Sequence, residues 1–169
     1  MIIGIGGISR SGKSLLAKRI TQWVPQYSIK IFDQDDYVFP VDKIPEIDGE
    51  TDWECPDSID FDRYFNAVVS AAAVYNWVIA EGLLAFYDRR LVDRMDKKIF
   101  ITIPYEVFVE RKRPDKRWGI FPEWYIDHIW ESHLKYGQPP ENDENLLIIN
   151  GDKPFPEKQI RDYLLRQSF

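Results

Sequence analysis

Gly7, Gly12, Lys13 and Ser14 stand in the spacing G-x-x-x-x-G-K-[ST], here Gly7-Ile8-Ser9-Arg10-Ser11-Gly12-Lys13-Ser14. These residue types in this order suit polyphosphate binding. Glycines let the backbone wrap a phosphate, and free amides at a helix start point at it; the lysine reaches the β/γ-phosphates and the hydroxyl ligates Mg²⁺. Candidate ATP contacts are therefore Gly7, Ser9, Arg10, Ser11, Gly12, Lys13, Ser14 and Leu15, with Arg117 added from a later cationic stretch. A chance match in a chain of this length is on the order of one in a hundred or less. The blander reading is a glycine-rich turn carrying an ordinary surface lysine.

A phosphate loop serves switches, motors, transporters and kinases, so other residues must choose among them. A GTPase switch needs Asn-Lys-x-Asp after a late strand, and that region reads Asn150-Gly151-Asp152-Lys153. Phosphoryl transfer instead needs a carboxylate to take the acceptor's proton and cations to spread the transferred charge. Asp35, in the group Asp33, Asp35, Asp36, is the best candidate base. Glu81 is placed to hold the magnesium shell. Arg111, Lys112, Arg113, Lys116 and Arg117 form a basic run that could fold over phosphates as a lid at about 111–122. The acids could instead cap a turn, Glu81 could sit in a structural salt bridge, and the basic run could be a solvated helix face.

The elements that must position these residues follow from pattern. Residues 2–5 are a β-branched run ending in glycines, and from Ser14 the apolar spacing Leu15, Leu16, Ile20, Trp23 is helical. Further strands are expected at 28–32, 74–80, 98–103 and 146–149. Helices are expected at 61–73, with Ser58 or Asp60 as N-cap, and at 105–111, 122–136 and 156–166, with a loop and a short helix between 83 and 95. The proline-rich acidic stretch 37–60 reads as a long loop. Alternating strands and helices predict an α/β fold of P-loop type: a five-stranded, mainly parallel sheet with helices on both faces and a small lid. In such sheets ligands sit at the carboxyl ends of the strands. The glycine loop, Asp35 and Glu81 should converge there.

At 169 residues, 44% apolar and 15% aromatic, the chain fits one domain with an adequate core. A net charge of −6 disfavours a general electrostatic grip on nucleic acid or anionic lipid, so no nucleic-acid or membrane partner is expected. One cysteine, Cys55, and two histidines, His128 and His133, give no internal disulfide and no zinc spacing. No role follows for these three residues. Apolar runs are too short to span a membrane, which reads as a cytoplasmic protein.

The segments Gly7 to Ser14, Gln34-Asp35-Asp36-Tyr37, Asp52 to Asp60, Ala80-Glu81-Gly82 and Ile103-Pro104-Tyr105-Glu106, in this order, resemble nicotinamide riboside kinases within the uridine kinase-like group. The similarity runs on through Leu134-Lys135-Tyr136 and Asn150-Gly151-Asp152. The resemblance implies an ATP- and Mg²⁺-dependent nucleoside kinase, a monomer or homodimer, whose small-molecule partners are a nucleoside and ATP. It makes Asp35 the base for the ribose 5′-hydroxyl, with Asp36 beside it on the substrate side. Trp53 becomes one face of an aromatic clamp, and Glu54 stands where an aspartate would bind the ribose hydroxyls. It further implies a ribose-contacting arginine, Arg113 with Arg111 or Arg117 as alternatives, and a second clamp ring, Trp118 with Trp124 as alternative. A positively charged pyridinium ring between indole faces is favoured by cation–π attraction, and the acids around Trp53 favour a cationic acceptor.

Overall fold

Ile3 and Ile5 project from one side of the first strand, and Ile2 from the other, so this strand is covered on both faces. The computed structural model describes residues 1–115, 119 and 121–166. Its main sheet comprises β1 (Ile2–Gly7), β2 (Ile29–Asp33), β5 (Trp77–Gly82), β6 (Lys97–Thr102) and β7 (Leu146–Asn150). The order is β2-β5-β1-β6-β7, with every pairing parallel. One face packs on α1 (Lys13–Trp23) and α6 (Glu157–Leu165) through Leu16, Ile20, Ile160 and Leu164. The opposite face packs on α2 (Phe61–Ala72) and α3 (Arg89–Val92) through Tyr64, Val68, Leu91 and Val92. On that side β1 carries Gly4 and Gly6 instead of side chains, and Phe86 and Met95 fill the space. A third cluster joins Ile8 and Ile103 to α4 (Tyr105–Lys112) and α5 (Glu123–Tyr136) through Phe108, Tyr125, Ile126 and Ile129. Among the described residues no helix is long and apolar enough to cross a membrane.

The expected elements are all found, with shifted ends. The third main-sheet strand begins at Trp77 and not at Val74, because amides 74 and 75 close a turn onto the carbonyl of Ala71, leaving Val74 76% exposed. Asp60, not Ser58, caps α2 by accepting from the amide of Arg63. Ser58 is turned inward and donates to the carbonyls of Trp53 and Cys55. The stretch read as a long loop carries short structure of its own. It has single 3₁₀ turns at Val41–Lys43 and Pro56–Ser58 and a two-stranded hairpin of β3 (Glu46–Ile47) and β4 (Glu50–Thr51). Strands of two residues are too short to leave a periodicity in the sequence.

Candidate active site

Parallel pairing sets Glu81 beside Asp33 on one side and Ile5 on the other, so β1, β2 and β5 end together. Beyond β1 the chain turns through the glycine loop into α1. Gly7, at φ 146°, lies where an added Cβ would stand 2.5 Å from the Ile101 carbonyl oxygen, so only glycine fits. Lys13 Nζ folds back to donate to the Ile8 carbonyl at 3.2 Å. Beyond β2, Asp33 accepts from the amide of Asp35 at 3.0 Å and so caps a 3₁₀ turn, Gln34–Tyr37. The capping role read as the bland alternative for the acidic triplet belongs to Asp33, and it is what presents Asp35.

These ends open onto a cavity of about 310 Å³. Ser9, Arg10, Gly12, Lys13, Ser14 and Leu15 line it. Asp33, Asp35, Trp53, Glu54 and Glu81 also line it, with Val38, Ile59, Leu83 and Leu84 as apolar wall. Ten residues expected at a site from sequence thus border one space. Others do not. Gly7 and Ser11 of the loop do not border it, Ser11 being buried with its hydroxyl lacking a partner among the described residues. Asp36 has an exposed side chain away from the cavity wall, and its carbonyl accepts from Arg63. Arg113 turns to Glu123, 3.1 Å away, while Arg111 borders the cavity. Arg111 donates to the Gly151 carbonyl at 3.0 Å and pairs with Asp152 at 3.1 Å, which ties α4 to the turn after β7. Trp124 packs edge-on against Tyr125 and does not border the cavity. Arg117 and Trp118 lie outside the described residues.

Besides Lys112 of the basic run, two residues to which the sequence analysis gave no role of their own, Gln34 and Phe121, line the cavity. Lys112 is only 6% exposed and sits 5.8 Å from the ring of Phe121, which also lines the cavity. Gln34 is 2% exposed; its Oε1 accepts from the Leu84 amide at 2.9 Å, while Nε2 has no partner among the described residues. Gln34 lies against Gly82, where an added Cβ would come within 2.5 Å of the Gln34 Cβ. That atom cannot swing aside as a chain end would. Gly82→Ala should therefore displace Gln34 and the Leu84 amide, cost about 1–3 kcal/mol, and disturb the wall between Asp35 and Glu81. Denaturant midpoints of the two proteins check the first part, and an undiminished midpoint would contradict the packing described.

The electrostatics are those of a mixed-charge site with buried carboxylates. Burial pushes Glu81 up to about 7, with Asp33 and Asp35 adding to it and Lys13 and a hydrogen bond from Ser14 opposing it. Burial likewise pushes Glu54 to about 7; Lys112 and Lys13 pull it down, and Asp35 and Asp52 push it up. Lys13 and Asp35 therefore act on both buried carboxylates, which brings the glycine loop and the acids within electrostatic reach of each other. Cations from the loop and α4 can hold a polyanion there. Carboxylates among them can accept a proton.

A parallel sheet in this order, with a phosphate loop leading from its central strand and acids on the neighbouring strand ends, is the α/β fold of P-loop kinases. Solved structures agree. A gluconokinase from Sinorhizobium meliloti matches with a TM-score of 0.60 at 17% identity, covering 96% of this chain and 88% of its own. A possible uridine kinase from Bacillus stearothermophilus matches at 0.57 and 16%, covering 87% and 88%. At such identities these speak for the fold alone. No protein-family model matches the chain. Among curated proteins, nicotinamide riboside kinase 2 of Mus musculus is 28% identical over 174 residues, 90% of this chain and 88% of its own. Nicotinamide riboside kinase 1 of Homo sapiens is 29% identical over 159 residues, covering 81% and 76%. A uridine kinase of Deinococcus deserti is 24% identical over 181 residues, covering 89% and 87%. The curated relatives are thus nicotinamide riboside kinases and uridine kinases, similar at modest identity over most of the chain.

Proposed function

We propose that this protein is a cytoplasmic nucleoside kinase that moves the γ-phosphoryl group of ATP to a ribose 5′-hydroxyl, with nicotinamide riboside as the preferred acceptor and nicotinamide mononucleotide as the product. The observation that carries this reading is that Asp35 borders the same cavity as Lys13 and Ser14 of the phosphate loop. In the reaction the 5′-oxygen forms a bond to Pγ, the bond from Pγ to the bridging β-oxygen breaks, and ADP leaves. The hydroxyl proton goes to Asp35. Lys13, now on the Ile8 carbonyl, exchanges that partner for the β/γ-phosphates, and Arg10, Arg111 and Lys112 add positive charge around them. In this reading the basic stretch at about 111–122, of which residues 116–118 and 120 lie outside the described residues, is the lid. Catalysis is then mainly alignment and charge stabilisation.

Magnesium fits the residues present. Ser14 and Glu81 are hydrogen-bonded oxygen donors with Asp33 close by, a hard donor set of the kind Mg²⁺ prefers. Among the described residues no three carboxylate, histidine or cysteine groups form a metal cage. None is required, because Mg²⁺ keeps several waters and takes one or two protein ligands beside substrate phosphates. Bound there, it would neutralise charge on the β- and γ-oxygens. Ser14 and Glu81 would hold it.

Preference for a cationic acceptor rests on Trp53 and on the acids Asp35, Glu54 and Glu81, all of which line the cavity. An ADP-release assay over nicotinamide riboside, uridine, cytidine and no nucleoside tests the proposal. Turnover is expected chiefly with nicotinamide riboside. Turnover with uridine or cytidine alone would move the protein to the pyrimidine nucleoside kinases. ATP binding with no acceptor at all would make it a regulator. Trp53→Ala should raise KM for the nucleoside about tenfold, within the ~1–3 kcal/mol typical of aromatic stacking on a base, with KM for ATP unchanged. Equal effects on both substrates would remove Trp53 from the acceptor side.

A further inference from the structure

Trp53 and Glu54 lie in an irregular turn, yet both border the cavity. Something must fix that turn. On its inner side Ser58 Oγ donates to the Trp53 carbonyl at 3.0 Å. On its outer side two residues of α5, three apart, reach it. The hydroxyl of Tyr125, a fully buried residue, donates to the Thr51 carbonyl at 2.8 Å and accepts from the Trp53 amide at 3.0 Å. One helical turn on, His128 Nε2 lies 2.8 Å from Asp52 Oδ1, and the same oxygen accepts from the Glu54 amide at 3.2 Å. Tyr125 is itself stacked on Phe121, ring centroids 4.5 Å apart, and Phe121 is a lining residue. Residues three apart on a helix share a face, so α5 offers two polar anchors side by side to three consecutive residues, 51–53, and through Asp52 to Glu54.

We propose that Tyr125 and His128 are positioning residues for the acceptor: they clamp the 51–54 turn to α5 and thereby set where Trp53 and Glu54 meet the nucleoside. Neither touches the phosphate loop in the contacts described, so the clamp acts on one substrate and not the other. This assignment rests on the nucleoside kinase reading. A phenol and an imidazole are more than a core requires at these positions. A core would be served by phenylalanine and leucine, which bury no hydroxyl or ring nitrogen in need of a partner.

Tyr125→Phe keeps the ring and its stack on Phe121 while deleting the bridge, and His128→Leu deletes the second anchor. His128→Gln keeps a donor in place of Nε2. For Tyr125→Phe and His128→Leu we expect KM for the accepted nucleoside to rise about tenfold, of the order of one hydrogen bond to a charged or bridging group. KM for ATP should stay within twofold, and His128→Gln should recover most of the loss. Amide hydrogen exchange of the ligand-free protein should quicken at residues 51–55 in the two deletion variants and remain unchanged in the central strand. Unchanged exchange at 51–55 in properly folded variants, or KM values for ATP and nucleoside that rise together, would overturn the assignment. If the wild type phosphorylates no nucleoside, the functional reading fails on that result, and the exchange experiment still decides whether the clamp holds the turn.

Discussion

Replacing Asp35 by asparagine is expected to lower kcat by roughly 10²–10⁴, the share general base catalysis usually supplies, while the dissociation constant for ATP stays within a few-fold. The substitution keeps shape and hydrogen-bonding size, and Asp33 continues to cap the 3₁₀ turn through the amide of residue 35, so the backbone that presents the side chain is retained. The phosphate loop is built from a different strand end, with its own turn through Gly7 and Gly12. Proton acceptance is lost and anion binding is not. Steady-state turnover with titration of ATP in the absence of nucleoside separates the two. A variant that turns over normally would take Asp35 out of the base role, and a variant that no longer binds ATP would place it in the nucleotide site.

The parts of the cavity legible in the sequence are those where a local pattern and one topological rule suffice. The loop from Gly7 to Ser14 carries its meaning in its own spacing, and Asp35 and Glu81 follow because each stands just past or at the end of a strand of one parallel sheet. The parts not legible depend on which way a side chain turns. Lys112 and Arg113 are neighbours in one basic run, yet α4 sends the first into the cavity and the second out to Glu123. No charge count distinguishes them. Gln34 acquires its place only because the chain returns fifty residues later with a glycine at 82 and a free amide at Leu84. His128 and His133, which share no face, also share no function. His133 is buried against Phe100 and held low, to about 4, chiefly by that burial, whereas His128 meets Asp52.

The same reasoning makes Glu81 a residue kept at the expense of stability. It is 2% exposed on a strand otherwise apolar, and burial lifts its carboxyl from 4.5 to about 7. In the unfolded chain the group loses its proton near its ordinary value, while the folded protein holds it to higher pH. Between those limits the folded state binds more protons, so the group's stabilising contribution is full below about pH 4.5 and is lost as pH rises through about 7. Glu81→Gln removes the buried charge and should stabilise the ligand-free protein at pH 8 by on the order of 2 kcal/mol, roughly 4–8 °C in Tm for a chain of this size. The decline of stability across that pH range should become shallower without vanishing, because Glu54 titrates with the same sign. In the kinase reading, where Glu81 would help to hold Mg²⁺ beside the phosphates, turnover should also fall at least ~100-fold. Calorimetric scans of both proteins from pH 4 to 8, alongside kcat, read these effects together. A variant less stable than the wild type at pH 8 would mean that Glu81 serves the fold through a pair stronger than its burial cost, and one that is more stable and still active would leave the buried charge without a catalytic reason to be there.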